Sequence, residues 1–235
     1  MGAHGSFPSD NAEQGVAMPR TYPVSLVLEG QSVLVVGGGA VATRKVEGLL
    51  PYDVSVTIVA PALTDALRAV ADAGRCAWRA KTYDAADLHG ADIVFVATDD
   101  ESVNAQAYRD ASGRHLMINV ADRPELCTFF LPSVLRRGRL SIAVSTEGAS
   151  PLTARRLRND LEERIPASFE AYLDLLCAWR PRVIAALPDE ADRYRFWQRA
   201  TDGCVQRLID VGKLHAADEL LDGILVELSR SAARS

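Results

Sequence analysis

The feature that most constrains this chain is a junction. The apolar run Ser32–Val36 passes directly into Gly37, Gly38 and Gly39, and the next residues, AVATRKVEGLL at 40 to 50, carry apolar side chains at helical spacing. A strand that turns at once through glycines into a helix has few folds open to it, because so tight a turn must be filled by backbone rather than side chains. Gly37, Gly39 and Ala42 satisfy G-x-G-x-x-G/A. In this setting the glycines let the main chain approach a pyrophosphate, while the helix N-terminus supplies amide donors and a favourable dipole. The pattern predicts dinucleotide binding; an ordinary Gly-rich strand-to-helix turn is the alternative.

The rest of the chain agrees with such a fold. Strand-like runs at 32–36, 54–59, 76–80, 92–98 and 116–120 alternate with helical patterns at 40–50, 63–74 and 101–112. That alternation is the signature of βαβ units in a parallel sheet, and the nearly continuous apolar strands predict helices on both sheet faces. After about Pro132 one further strand, RLSIAVST at 139–146, precedes a long stretch with no strand signal. Ser150 and Pro151 read as the N-cap and first residue of a helix through TARRLRNDLEERI, and SFEAYLDLLCAWR opens a helical tail. The expected class is α/β: a Rossmann-type parallel sheet domain, a small central element of one strand and one helix, and a C-terminal helical domain.

Composition narrows the partners. With 48% hydrophobic and 24% charged residues, the 235-residue chain is neither fibrous nor disordered. Its net charge of −5 offers no general attraction to nucleic acid or anionic lipid. Lysine occurs only at positions 45, 81 and 213, so the positive charge is nearly all arginine. Cys76, Cys127, Cys177 and Cys204 form no CxxC pair and read as reduced, mostly buried thiols, with no metal site. Residues 1–20 lack an apolar signal core and read as a flexible tail on a cytoplasmic protein, and no run is long and apolar enough to span a membrane.

Ligands of doubly wound sheets bind outside the carboxyl ends of the strands. The second strand ends at Pro61 and Ala62 with no acid for the ribose hydroxyls, so backbone there would supply those contacts and both NAD and NADP stay open; no arginine follows it either, which mildly disfavours a 2′-phosphate. The fourth strand leads to Thr98, placed to line the cofactor, then to Asp99 and Asp100, read as helix caps. The fifth ends in Asn119, Val120, Ala121 and Asp122. Asp122 is the one acid predicted at that strand end; it could take a proton from a substrate being oxidised, and an Asx-type turn before Arg123 and Pro124 is the alternative. His4, His89, His115 and His215 read as exposed or structural. Arg136, Arg137, Arg139, Arg155, Arg156 and Arg158 could bind a polycarboxylate or form a salt-bridged helix with Asp160, Glu162 and Glu163.

Taken in order, GGGAVATRK, VFVATDDESVNAQ, INVADRPELCTFFLPSVLRRGRLSIAVSTEGASPLTARRLR and a helical tail with RFWQ resemble the precorrin-2 dehydrogenase / sirohydrochlorin ferrochelatase family, the N-terminal module of siroheme synthases. The resemblance runs from about Tyr22 to Trp197. It implies NAD-dependent oxidation of precorrin-2, a tetrapyrrole with eight carboxylates, to sirohydrochlorin, with ferrous iron insertion as a second activity of some members. It assigns the essential aspartate to Asp122 and the nucleotide loop to Gly37, Gly38, Gly39, Ala40 and Val41, the last two in contact with cofactor. Pro61 and Ala62 match the second cofactor contact, and Thr98, Asn119 and Val120 complete the candidate cofactor site.

Ser145, Ser150 and Arg155 are the candidate substrate contacts; Thr146 falls where some fused synthases carry a phosphorylatable serine. The implied assembly is a homodimer organised as a NAD-binding domain at 21–132, a dimerisation element at 133–163 and a helical domain at 164–235. At 235 residues the chain is expected to lack the methyltransferase domain of fused members and to receive precorrin-2 from another polypeptide. The competing reading is a NAD-binding redox sensor without tetrapyrrole turnover.

Overall fold

The structure, a computed structural model, describes residues 20–232; the tail expected at 1–20, apart from Arg20, and His4 lie outside them. Two compact units meet in sequence at Leu131 and Pro132. In the first, β1 (Ser32–Val36), β2 (Ser55–Val59), β3 (Ala77–Arg79), β4 (Ile93–Val96) and β5 (Met117–Val120) form one sheet in the order β3-β2-β1-β4-β5. All four pairings are parallel.

Strand periodicity explains why these runs must be covered twice. Val33, Val35, Val56, Ile58, Ile93 and Phe95 point into one core with Ala42, Val46 and Leu49 of α1 (Ala40–Leu49) and Leu67 of α2 (Asp65–Asp72). Leu34, Val36, Val94, Val96, Ile118 and Val120 point the other way, onto Tyr83, Leu88 and α3 (Glu101–Ser112), which presents Ala107 and Ala111. A side chain buried on either face thus stabilises by roughly 1.5–3 kcal/mol. The chain leaves β1 for β2 on one side and later crosses to β4 on the other, so the strand order reverses between β1 and β4. That reversal opens the crevice in which such sheets hold ligands.

The second unit begins with one strand more than the sequence predicts. The central element holds two strands: β6 (Ser133–Arg137) and β7 (Leu140–Val144) pair antiparallel, with Arg137 opposite Leu140. β6 escaped detection because SVLRR ends in two arginines and buries only Leu135. Gly138 makes the hairpin possible: its φ is +53°, and an added Cβ would lie 2.4 Å from the Glu170 side chain. The helix α4 (Pro151–Arg164) packs on both strands. It is capped as expected, with the Ser150 hydroxyl accepting from the Thr153 amide at 3.2 Å. Helices α5 (Phe169–Ala186), α6 (Glu190–Ala200), α7 (Cys204–Asp210) and α8 (Leu214–Ala232) enclose Trp179, Val183, Phe196, Val205 and Leu221.

The cysteines also differ from expectation. All four are free thiols, but Cys177 is exposed and the other three are half-buried. Cys177 and Cys204 lie on amphipathic helices, where chain composition alone does not say which face is inward.

Candidate functional site

The strand ends fall in one row. Val36 is registered against Val59 and Val96, and Val96 against Val120. The amides one residue further on continue the ladder: Gly37 donates to the Val59 carbonyl, Ala97 to Val36 and Ala121 to Val96, at 2.9, 2.7 and 2.8 Å. The loops that follow, carrying Gly37–Gly39, Pro61–Ala62, Thr98 and Asp122, therefore emerge side by side from one edge.

Each glycine of the loop is required for a different reason. Gly37 is buried at φ +120°, and a Cβ there would sit 2.1 Å from the Ala97 carbonyl oxygen. Gly38 lies against the end of β2, where a Cβ would meet the Ala62 carbonyl oxygen at 1.9 Å. Its own carbonyl accepts from the Thr64 amide, so Pro61 and Ala62 border the loop directly. A Cβ on Gly39, by contrast, would touch nothing. Gly39 is the N-cap of α1 and offers no side-chain oxygen, which leaves the first-turn amides of Ala40 and Val41 without a side-chain cap. An open cradle at an uncapped helix N-terminus fits a pyrophosphate. Trp78 Nε1, donating to the Ala60 carbonyl at 2.9 Å, and the Thr43–Thr64 hydroxyl pair at 2.9 Å fix the two walls.

On the other side of the switch point, Thr98 is half-buried and its carbonyl accepts from Asn104 Nδ2 at 3.1 Å. Asp100 caps α3, its carboxylate accepting from the Ser102 and Val103 amides; these bonds hold its pKa below the usual carboxylate value, the Ser102 hydroxyl contributing most. Asn119 is buried and Val120 closes β5. Asp122 is exposed and holds a left-handed backbone, φ +57°, a conformation Asp tolerates better than most side chains. Three hydrogen-bonding residues were not singled out from the sequence: Lys45, whose Nζ donates to Asn119 Oδ1 at 3.1 Å, Asn104, and Cys127, whose thiol brackets the Asp122 turn. The scarcity of lysine was the available signal for the first.

The second unit holds the other candidates. Ser145 Oγ accepts from the Glu147 amide, and the Ser150 amide donates to Thr146 Oγ1, so the STEGASP segment is knitted by its own hydroxyls. Arg137 and Arg158 both pair with Glu162, and Arg139 pairs with Asp174. Arg155 and Arg156 are exposed and make no ion pair among the described residues. His89, His115 and His215 are exposed. Among the described residues no cluster of His, Cys, Asp and Glu could hold a metal ion, and no helix is long and apolar enough to cross a membrane.

The sheet order and glycine loop define a Rossmann-type nucleotide-binding protein. Three families match in succession: putative NAD(P)-binding at residues 24–133, sirohaem biosynthesis protein central at 137–164, and sirohaem synthase dimerisation region at 173–225. Its first unit matches a family of nicotinamide-dinucleotide binders, and the segments after it match two families described for sirohaem biosynthesis and sirohaem synthase. It is 39% identical over 204 residues, 87% of its length, to Siroheme synthase 1 of Pectobacterium atrosepticum, and 38% identical over 213 residues, 90% of its length, to Siroheme synthase of Methylococcus capsulatus. It covers 42% and 44% of those relatives, less than half of each. A solved structure titled SirC, precorrin-2 dehydrogenase, is 28% identical, with a TM-score of 0.74 over 86% of this chain and 100% of that one.

Proposed function

We propose that this chain is a NAD-dependent dehydrogenase that oxidises precorrin-2 to sirohydrochlorin on the route to siroheme, acting in the cytoplasm as a homodimer. The observation that carries the reading is the meeting, on one sheet edge, of the Gly37–Gly39 cradle and Asp122 in a chain that matches the sirohaem central family. The likeness to SirC along the whole of that chain supports it.

The amides of Gly39, Ala40 and Val41 bind the pyrophosphate, and backbone at Pro61 and Ala62 meets the ribose. Neither an acid nor an arginine stands directly after β2, which supports NAD over its 2′-phosphorylated form. Thr98, Asn119 and Val120 line the crevice beyond the switch point. When bound, the nicotinamide supplies the hydride acceptor. Asp122 accepts the proton that the macrocycle releases as it loses a hydride, and holding the reactants in line contributes most of the acceleration. Arg155, exposed and outside any ion pair among the described residues, is the candidate partner for a substrate carboxylate, with Ser145 and Ser150 beside it in sequence. Free thiols suit a reducing compartment, and the match to a dimerisation region supports the homodimer.

A nucleotide sensor without turnover draws no support from these relatives. The test supplies enzymatically made precorrin-2 and NAD anaerobically and follows NADH together with the sirohydrochlorin spectrum. Both should rise with protein concentration; a folded, NAD-binding protein that changes neither overturns the assignment. Ferrous iron added to the product then tests insertion to siroheme, in which Asp122 would take up pyrrole protons.

A further inference from the structure

Lysine is rare in this chain, yet one of its three lysines lies half-buried and hydrogen-bonded to the strand that leads to the candidate acid. Lys45 is on α1, the helix that begins at the nucleotide loop. Its Nζ donates to Asn119 Oδ1 at 3.1 Å and stands 5.2 Å from the centroid of the Phe95 ring. The other end of the Asn119 amide is also engaged: Nδ2 donates to the Phe129 carbonyl at 3.0 Å and reaches Cys127 Sγ at 3.6 Å. Cys127 Sγ accepts from the Val120 amide at 3.2 Å and lies within hydrogen-bond reach of the Val120 and Arg123 carbonyls, at 3.3 and 3.2 Å. Val120 and Arg123 flank Asp122 and its left-handed backbone. A continuous polar path thus runs from the ammonium on the cofactor helix to the turn that presents the acid.

Every group on this path is satisfied, so the path specifies one arrangement. Phe95, Phe129 and Cys127 make the surroundings of Lys45 apolar on the sheet side. Burial pulls the Lys45 pKa below the usual lysine value; Cys127 and Asp122 oppose that shift, and Arg44 on the same helix adds to it. The Asp122 carboxylate is therefore within electrostatic reach of the ammonium.

We propose that Lys45 is a positioning residue for the Asp122 turn: as an ammonium it orients the Asn119 amide, and through Asn119 and Cys127 it sets the geometry in which Asp122 meets substrate. The inference rests on the dehydrogenase reading above. Lys45 does not need to touch substrate or dinucleotide for this role, which separates its expected signature from that of the loop glycines.

The test compares Lys45→Met and Lys45→Arg with the unaltered chain. Lys45→Met should lower kcat by about 10- to 100-fold, the effect of displacing a reacting group by a fraction of an ångström. The melting temperature should stay near that of the unaltered chain, the NAD dissociation constant should change less than kcat, and Lys45→Arg should recover most of kcat. Because a lysine with a lowered pKa loses its charge at a lower pH than an ordinary one, the unaltered enzyme should lose activity on the alkaline side. Lys45→Arg should move that loss to higher pH. A Cys127→Ser background separates the thiol's own ionisation, which burial shifts upward.

A second readout needs no turnover. In the free protein, the NMR signals of the Asn119 side-chain amide and the Asp122 backbone amide should both shift in Lys45→Met and return in Lys45→Arg. If Lys45→Met fails to fold, Lys45→Gln keeps a hydrogen-bonding end without the charge. An unmoved Asp122 signal, a kcat within about twofold of the unaltered chain, or a loss confined to NAD affinity would each overturn the proposal. An inactive unaltered protein would instead overturn the dehydrogenase reading, and the NMR comparison would still decide whether Lys45 governs the turn.

Discussion

The two units bury apolar surface in different ways. In the first, every residue of Val33–Val36 and Ile93–Val96 is buried, and successive side chains alternate between two helix-covered cores. In the second, helices α5 to α8 close around Trp179 and Phe196, but the hairpin and α4 leave apolar residues outside: Leu152 is 76% exposed, Leu157 46% and Val134 38%. The sheet of the first unit is covered on both faces, while the hairpin and α4, the segment matching the sirohaem central family, bury few of their side chains. That contrast fits the homodimer proposed above.

The contrast can be broken most sharply at the acid. Asp122→Asn keeps a side chain that tolerates φ near +57°, so stability should hold while turnover falls about 10²- to 10⁴-fold, the usual contribution of a positioned proton acceptor. Steady-state NADH formation measures it, and unchanged turnover would remove Asp122 from the chemistry. Next in size is a core lesion in the second unit. Trp179 is 1% exposed and its Nε1 donates to Asp218 at 2.7 Å, so Trp179→Ala should cost about 3–5 kcal/mol in calorimetric unfolding. NAD binding by the first unit should survive it if that scaffold is self-sufficient.

The loop glycines sharpen the comparison within the first unit. Gly37→Ala forces a Cβ against the Ala97 carbonyl at an unfavourable φ, and should destabilise folding by about 3 kcal/mol. The added Cβ of Gly39→Ala meets no protein atom, so the fold should persist while NAD affinity falls about tenfold, near 1.4 kcal/mol in a binding titration. Equal effects of the two on stability would contradict the division of labour between them. The smallest effect is expected at the α4 cap: Ser150→Ala removes the bond to the Thr153 amide, worth about 1 kcal/mol, seen as a modest fall in melting temperature.

How much was legible in the sequence follows from the range of the forces involved. β1 and α3 have the ends expected of them, Ser32–Val36 and Glu101–Ser112, because apolar periodicity and caps such as Asp100 act over a few residues. The loop glycines were legible for the same reason. β6 was not, since a half-exposed edge hairpin with a charged end has no run of apolar residues to announce it. Lys45 and Asn119 are 74 residues apart, and only the β1-β4-β5 crossover brings them together. From the sequence Cys127 is a reduced, buried thiol like the others, because nothing local shows that its sulfur closes the turn around Asp122.

The common row of strand ends has a metric consequence. The nucleotide loop leaves β1 and the acid leaves β5, with β4 between them, so their bases are two interstrand steps apart, about 10 Å. Backbone hydrogen bonding sets that gauge, and no side chain on the covering helices can retune it. A ligand that needs a different spacing between the loop and the acid would have to be accommodated by the loops alone, or by gaining or losing a strand.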